Sequence, residues 1–178
     1  MNATIRKLGL TAHVTASVGW LGAVIAYLAL AVASLEDAEL FRGLEVVGWR
    51  VIVPLAVATL VTGLVQSLGT EWKFFRFWWV AAKLGLATVG TTVLLIHLSG
   101  LDWSGGDLEA REHTILHAAG GVAILLAATV LSIYKPWGRI PDRFVPRLDG
   151  LRLAILAAVV LLLALFAIHL TGGGPHRH

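Results

Sequence analysis

The sequence predicts an all-α integral membrane protein: a bundle of five transmembrane helices, with the N-terminus inside and the C-terminus outside. Three observations predict it. Of the 178 residues, 57% are hydrophobic, and the mean hydropathy is +0.81. Only 14% are charged, where a soluble domain carries about a quarter. The apolar residues also fall in five long blocks, at about 8–33, 51–68, 77–98, 114–134 and 151–171. Each is close to the ~20 residues that a helix needs to cross hydrocarbon. Backbone polar groups in lipid must be paired within their own segment, so the blocks are read as helices and not as strands.

The first span, 8–33, follows the short basic stretch MNATIRKLGL. It is too long for the apolar core of a signal peptide, roughly 7–15 residues, and is read as a retained span. Between it and the second block lies SLEDAELFRGLEVVGWR, whose charges mark it as a loop. The second span, 51–68, is the shortest, and it carries Pro54 in its first turn, where proline is tolerated. The third span, 77–98, begins at a pair of tryptophans. The fourth, 114–134, begins among histidines. The fifth, 151–171, precedes a flexible tail, GGGPHRH, at 172–178. One bundle over 1–171 is the natural domain count.

Charge sets the orientation. The N-terminal segment, the second loop and the fourth loop together hold nine basic residues, while the other loops and the tail hold four. The basic side is cytoplasmic, which places the chain in the plasma membrane as a multi-pass protein. The same distribution explains the net charge of +3 as a topology signal, with no nucleic acid as partner. Trp72, Trp78, Trp79 and Trp137 lie near the inner boundary, and Trp49 and Trp103 near the outer one, as an interfacial belt. Trp20 lies mid-span. There is no cysteine, so disulfides and thiolate metal sites are excluded.

The polar residues inside the spans carry the functional signal. Lys83 is the only charge within a span, ~9 Å deep at 1.5 Å per residue. Its long stem would snorkel to the headgroups, or the amine faces inward and has a role. His13 lies at a similar depth in the first span. It shares a helical face with Ser17, Trp20, Val24 and Tyr27. A single imidazole on such a face either packs and hydrogen-bonds, or serves chemistry.

Four more histidines lie on the outer side. His97 ends the third span, His113 and His117 begin the fourth, and His169 ends the fifth. Imidazoles gathered at one depth point to a metal or haem site, or else to headgroup and carboxylate hydrogen bonds. His113 and His117, four residues apart, face the same way and suit Zn²⁺ or Cu²⁺. They cannot bracket a haem, which needs axial ligands on opposite faces. Gly19 with Gly22, Ala82 with Gly85, and Gly120 with Gly121 would let helices approach closely. The last pair would equally make room for a flat macrocycle.

Two stretches carry a family resemblance. HVTASVGWLGAVIAYL, with His13, Trp20 and Gly22, resembles the first helix of the CopD-like and HemJ-like membrane proteins. WWVAAKLGLATVGTTVLLIH, with Trp79, Lys83 and His97, is similar to a later helix of that superfamily. The resemblance covers the first three spans. It implies haem b as cofactor, with His13 and Lys83 as the functional pair of a protoporphyrinogen oxidase-like oxidoreductase. CopD-type members are linked to copper handling. The pattern departs after Tyr27-Leu28, where Ala29-Leu30-Ala31 stand in place of an expected arginine. Haem binding and porphyrinogen oxidation are therefore separate expectations.

Three functional readings follow. In the first, the chain is a redox protein holding haem b: His13 and Lys83 are catalytic, and His13, Lys83, Trp20, His97 and His117 line the cofactor. Its partners are the bilayer, a quinone or porphyrin redox partner, and a second copy of the chain. In the second, His97, His113, His117 and His169 capture copper or zinc for transport or delivery, although soft Cu(I) ligands are missing from the spans. In the third, the chain is a non-catalytic subunit of a membrane complex. No nucleophile triad, phosphate loop or carboxylate dyad supports hydrolysis.

Overall fold

The computed structural model describes residues 3–69, 77–103, 107–136 and 138–141. The helices are α1 (Ala3–Ala33), α2 (Ala38–Val47), α3 (Val53–Gly69), α4 (Trp78–Gly100) and α5 (Leu108–Tyr134), with a π turn at Gly48–Ile52 joining α2 to α3. No strand forms among the described residues; one isolated bridge pairs Phe77 with Arg139. The chain divides into two compact units, Met1–Arg139 and Ile140–His178. The first contains all five helices. The expected fifth span at 151–171, with His169 and the tail, lies outside the described residues.

Among the described residues, four helical segments are long and apolar enough to cross a membrane: Ala3–Ala33, Ala38–Ser67, Trp78–Gly100 and Leu108–Tyr134. Their outward residues agree, since Val18, Ile96, Leu116 and Ile133 are each at least 65% exposed. Such surfaces need lipid around them. The chain is a membrane-embedded helical protein.

The second segment corrects the sequence reading. Residues 38–47, read as loop, are helical and continue into α3. Asp37 starts the helix by accepting a hydrogen bond from the Glu39 N–H at 2.9 Å, as an N-cap does. Glu39, Arg42 and Glu45 recur at three-residue spacing on one side, while Phe41 and Leu44 are fully buried on the other. Charges that suggested a loop thus form the polar face of an amphipathic helix. Pro54 consequently stands inside a long helix and not near its start. A proline there removes one N–H and crowds the carbonyl one turn back. The π turn just before it widens the helix, with the Val53 N–H donating to the Gly48 carbonyl, and this relieves that crowding.

The bundle closes as a ring. α1 packs against α3 and α5, and α4 packs against the same two, so α1 and α4 stand diagonally across the interior. The chain runs up and down: Gly9 meets Gln66, Gly19 meets Leu55 and Gly90 meets Ile124. We call the end where α1 begins proximal and the end where it finishes distal. α1 buries one stripe, Ala16, Trp20, Val24, Tyr27 and Ala31, at the spacing of a single helical face.

At the distal end, Arg111 of α5 donates to the Ser34 carbonyl at 3.1 Å. Trp103 packs against Phe41 with ring centroids 5.5 Å apart and planes tilted by 31°, and it is 4% exposed. It is a packing residue, not a belt residue, because its ring is buried against Phe41 of α2. Gly48 sits where a Cβ would come within 2.7 Å of Leu98. Only glycine lets α4 approach there.

Candidate functional site

Two cavities open between the helices. The proximal one is about 490 Å³ and the distal one about 240 Å³. Trp20 and Leu125 line both, so one indole and one isobutyl group stand between them.

The proximal cavity answers where Lys83 points. Lys83 of α4 and His13 of α1 line the same space. The lysine stem therefore faces the bundle interior, one and a half turns into α4. Lys135 lines the cavity too. It ends α5 in the left-handed conformation, φ 46°, its N–H donating to the Leu131 carbonyl at 3.1 Å. Its ammonium lies 6.0 Å from the centre of the Trp79 ring, within cation–π range. Among the described residues no carboxylate lines this cavity; those that do combine three nitrogen bases with apolar side chains and a few neutral polar ones.

His13 is held by α3. Its Nδ1 lies 3.1 Å from the Thr62 hydroxyl. That hydroxyl already donates to the Ala58 carbonyl at 2.6 Å, and it has one proton to give. With that proton directed to the Ala58 carbonyl, Nδ1–H donates to the hydroxyl oxygen, and in this tautomer the neutral ring keeps its lone pair on Nε2. The ring edge rests on Gly63, where an added Cβ would come within 3.0 Å of Cε1. The chain Ala58–Thr62–His13 thus holds the ring in place, as a hydrogen-bonded neighbour does for a ligating histidine. Within the same walls, Trp20 Nε1, Thr59 Oγ1 and Gln66 Nε2 are buried without a protein partner. Buried polar atoms are normally paired, so three together mark a space meant for something polar.

At the distal end, His97 and His117 meet as stacked rings, centroids 4.2 Å apart and planes 13° from parallel. His117 Nδ1 is 2.8 Å from the His113 carbonyl and donates to it. His113 points elsewhere, toward Glu109 at 3.6 Å, with more than half its side chain exposed. An imidazole lone pair lies in the ring plane. Two nearly parallel planes about 4 Å apart share no point, so in this arrangement one ion cannot sit on the lone pairs of both His97 and His117. No cluster of three or more metal-binding side chains converges among the described residues.

The structure thus brings His13, Lys83 and Trp20 to one cavity, and His97, His117 and Trp20 to another. It leaves His113 apart on the surface. Thr62, Gln66 and Lys135 escaped the sequence reading. Thr62 lies 49 residues from His13, and single threonines in apolar helices are common. Lys135 was counted among the loop bases. No family model, curated protein or solved structure matches the chain.

Proposed function

We propose that the protein binds a haem b or closely related porphyrin in the proximal cavity and serves a redox or porphyrin-handling role in the membrane. The observation that carries this reading is His13. An imidazole with Nδ1 tied to Thr62 presents Nε2 as the free nitrogen, beside a volume of about 490 Å³, well within the range of small-molecule sites.

The residues present fit the group on each count. Haem is a flat apolar macrocycle with two carboxylates and an iron that takes axial imidazole. Apolar side chains of α1, α3, α4 and α5 would enclose the ring. His13 would ligate the iron. Lys83 and Lys135, which both line the cavity, would face the propionates. Trp20 Nε1 and Gln66 Nε2 would find acceptors. Bound haem would supply one-electron chemistry. The protein's own part is to hold it, exclude water and set its charge environment, with Thr62 keeping a hydrogen on His13 Nδ1 and so raising the basicity of Nε2.

In the full reading, the chain spans the plasma membrane five times with the proximal end cytoplasmic, which the basic loops support. The two lysines then face the side from which a porphyrin made in the cytoplasm would arrive.

The test is a titration of haem into the purified protein, followed at the Soret band. One saturable site per chain is expected in the wild type, and loss of that band in His13→Ala. A wild-type protein that develops no protein-specific Soret band overturns the proposal.

A further inference from the structure

The distal cavity has a different chemistry from the proximal one. Among the described residues no lysine, arginine or carboxylate lines it, and those walls suit a neutral ligand. Its volume of about 240 Å³ exceeds the ~150 Å³ of an engineered cavity that admits benzene. It therefore takes one substituted six-membered ring and does not take a macrocycle. Gly120 forms part of the wall, and an added Cβ there would meet nothing within 4 Å. The space beside it is open.

Two polar atoms are buried at this cavity without a partner, the Tyr27 hydroxyl and His97 Nε2. Tyr27 belongs to α1 and is 3% exposed; His97 belongs to α4, and both line the cavity. A buried hydroxyl and imidazole left unpaired cost stability, and two on different helices around one space define a pair of anchor points. The Tyr27 O–H donates. The neutral His97 ring either donates or accepts at Nε2, depending on its tautomer. Its position is set by stacking on His117, which is itself tied to the His113 carbonyl. The remainder of the wall is aliphatic or aromatic.

We propose that this cavity binds the head group of a lipid-soluble quinone or hydroquinone. A ring oxygen would accept from Tyr27, and a second would meet His97 Nε2, as acceptor for the quinone or donor for the hydroquinone. One pair of side chains thus serves both oxidation states. The apolar tail would leave toward lipid along the aliphatic wall. The proposal goes beyond the porphyrin reading and stands on separate residues.

The probe is a short-tailed benzoquinone, titrated by calorimetry into the full chain in detergent. The wild type is expected to bind it saturably. Tyr27→Phe, which keeps the ring and removes only the hydroxyl, is expected to bind roughly tenfold more weakly. Gly120→Leu fills the open wall and is expected to abolish binding. The Soret titration of the proximal cavity, run on the same samples, is expected to be unchanged in both variants, so that failure at one site is read independently of the other. Absence of saturable binding in the wild type overturns the proposal. So does equal affinity in the wild type and Tyr27→Phe, which would mean that the ring does not reach the hydroxyl.

Discussion

The Nδ1 atom of His13 lies 3.1 Å from the Thr62 hydroxyl, which has already committed its proton to the Ala58 carbonyl. One threonine on α3 therefore decides which nitrogen of a histidine on α1 is free. Thr62→Val keeps the side-chain shape and removes the acceptor. Haem affinity is expected to fall about 10- to 100-fold, the usual effect of removing a ligating histidine's outer partner. Helical content by circular dichroism is expected to stay the same. Unchanged affinity would show that His13 does not depend on Thr62.

Lys83 is assigned to the carboxylates of the ligand, which gives it a test that a structural lysine would not pass. Lys83→Gln is expected to weaken haem binding roughly tenfold, the worth of about one charge-assisted hydrogen bond. The dimethyl ester of haem, which lacks both carboxylates, is expected to bind wild type and variant alike. An equal loss with both ligands would assign Lys83 to packing.

Gly48 permits the contact between the π turn and the end of α4. Gly48→Ala would drive a methyl group to within 2.7 Å of Leu98 Cδ2, where Leu98 is 1% exposed and has little room to move. A destabilisation of about 1–3 kcal/mol is expected, typical of overpacking, read as a lower thermal midpoint in detergent. Gly48→Ala combined with Leu98→Ala is expected to cost less than the two single losses added together, because the second change removes the clashing atoms.

What could be read from sequence follows from where the signal is local. Uninterrupted apolar runs marked α1, α4 and α5, since length and hydropathy suffice for a span. The stretch 38–47 was missed because Glu39, Arg42 and Glu45 lower its hydropathy, and an amphipathic turn at a span's end looks like a charged loop. The π turn follows from Pro54 only once the helix is known to pass through it. At the site, His13 stood out by sharing a helical face with Trp20, and Lys83 by being the only charge inside the apolar blocks read as spans. The Thr62 contact was not legible, because it depends on how α1 and α3 are aligned. The distal histidines were read as sharing one depth, but depth does not reveal that the rings of His97 and His117 stack and do not converge. Tyr27 was legible as a face residue; that its hydroxyl is left unpaired at a cavity depends on packing alone.

The central claim is that His13 Nε2 holds the ligand's iron in the proximal cavity. The most direct measurement is the visible spectrum of haem-loaded His13→Gly with and without added imidazole. The account predicts that the variant loses the wild-type Soret band and that millimolar imidazole, entering the space left by the side chain, restores it. A variant that keeps the wild-type spectrum without imidazole would contradict it.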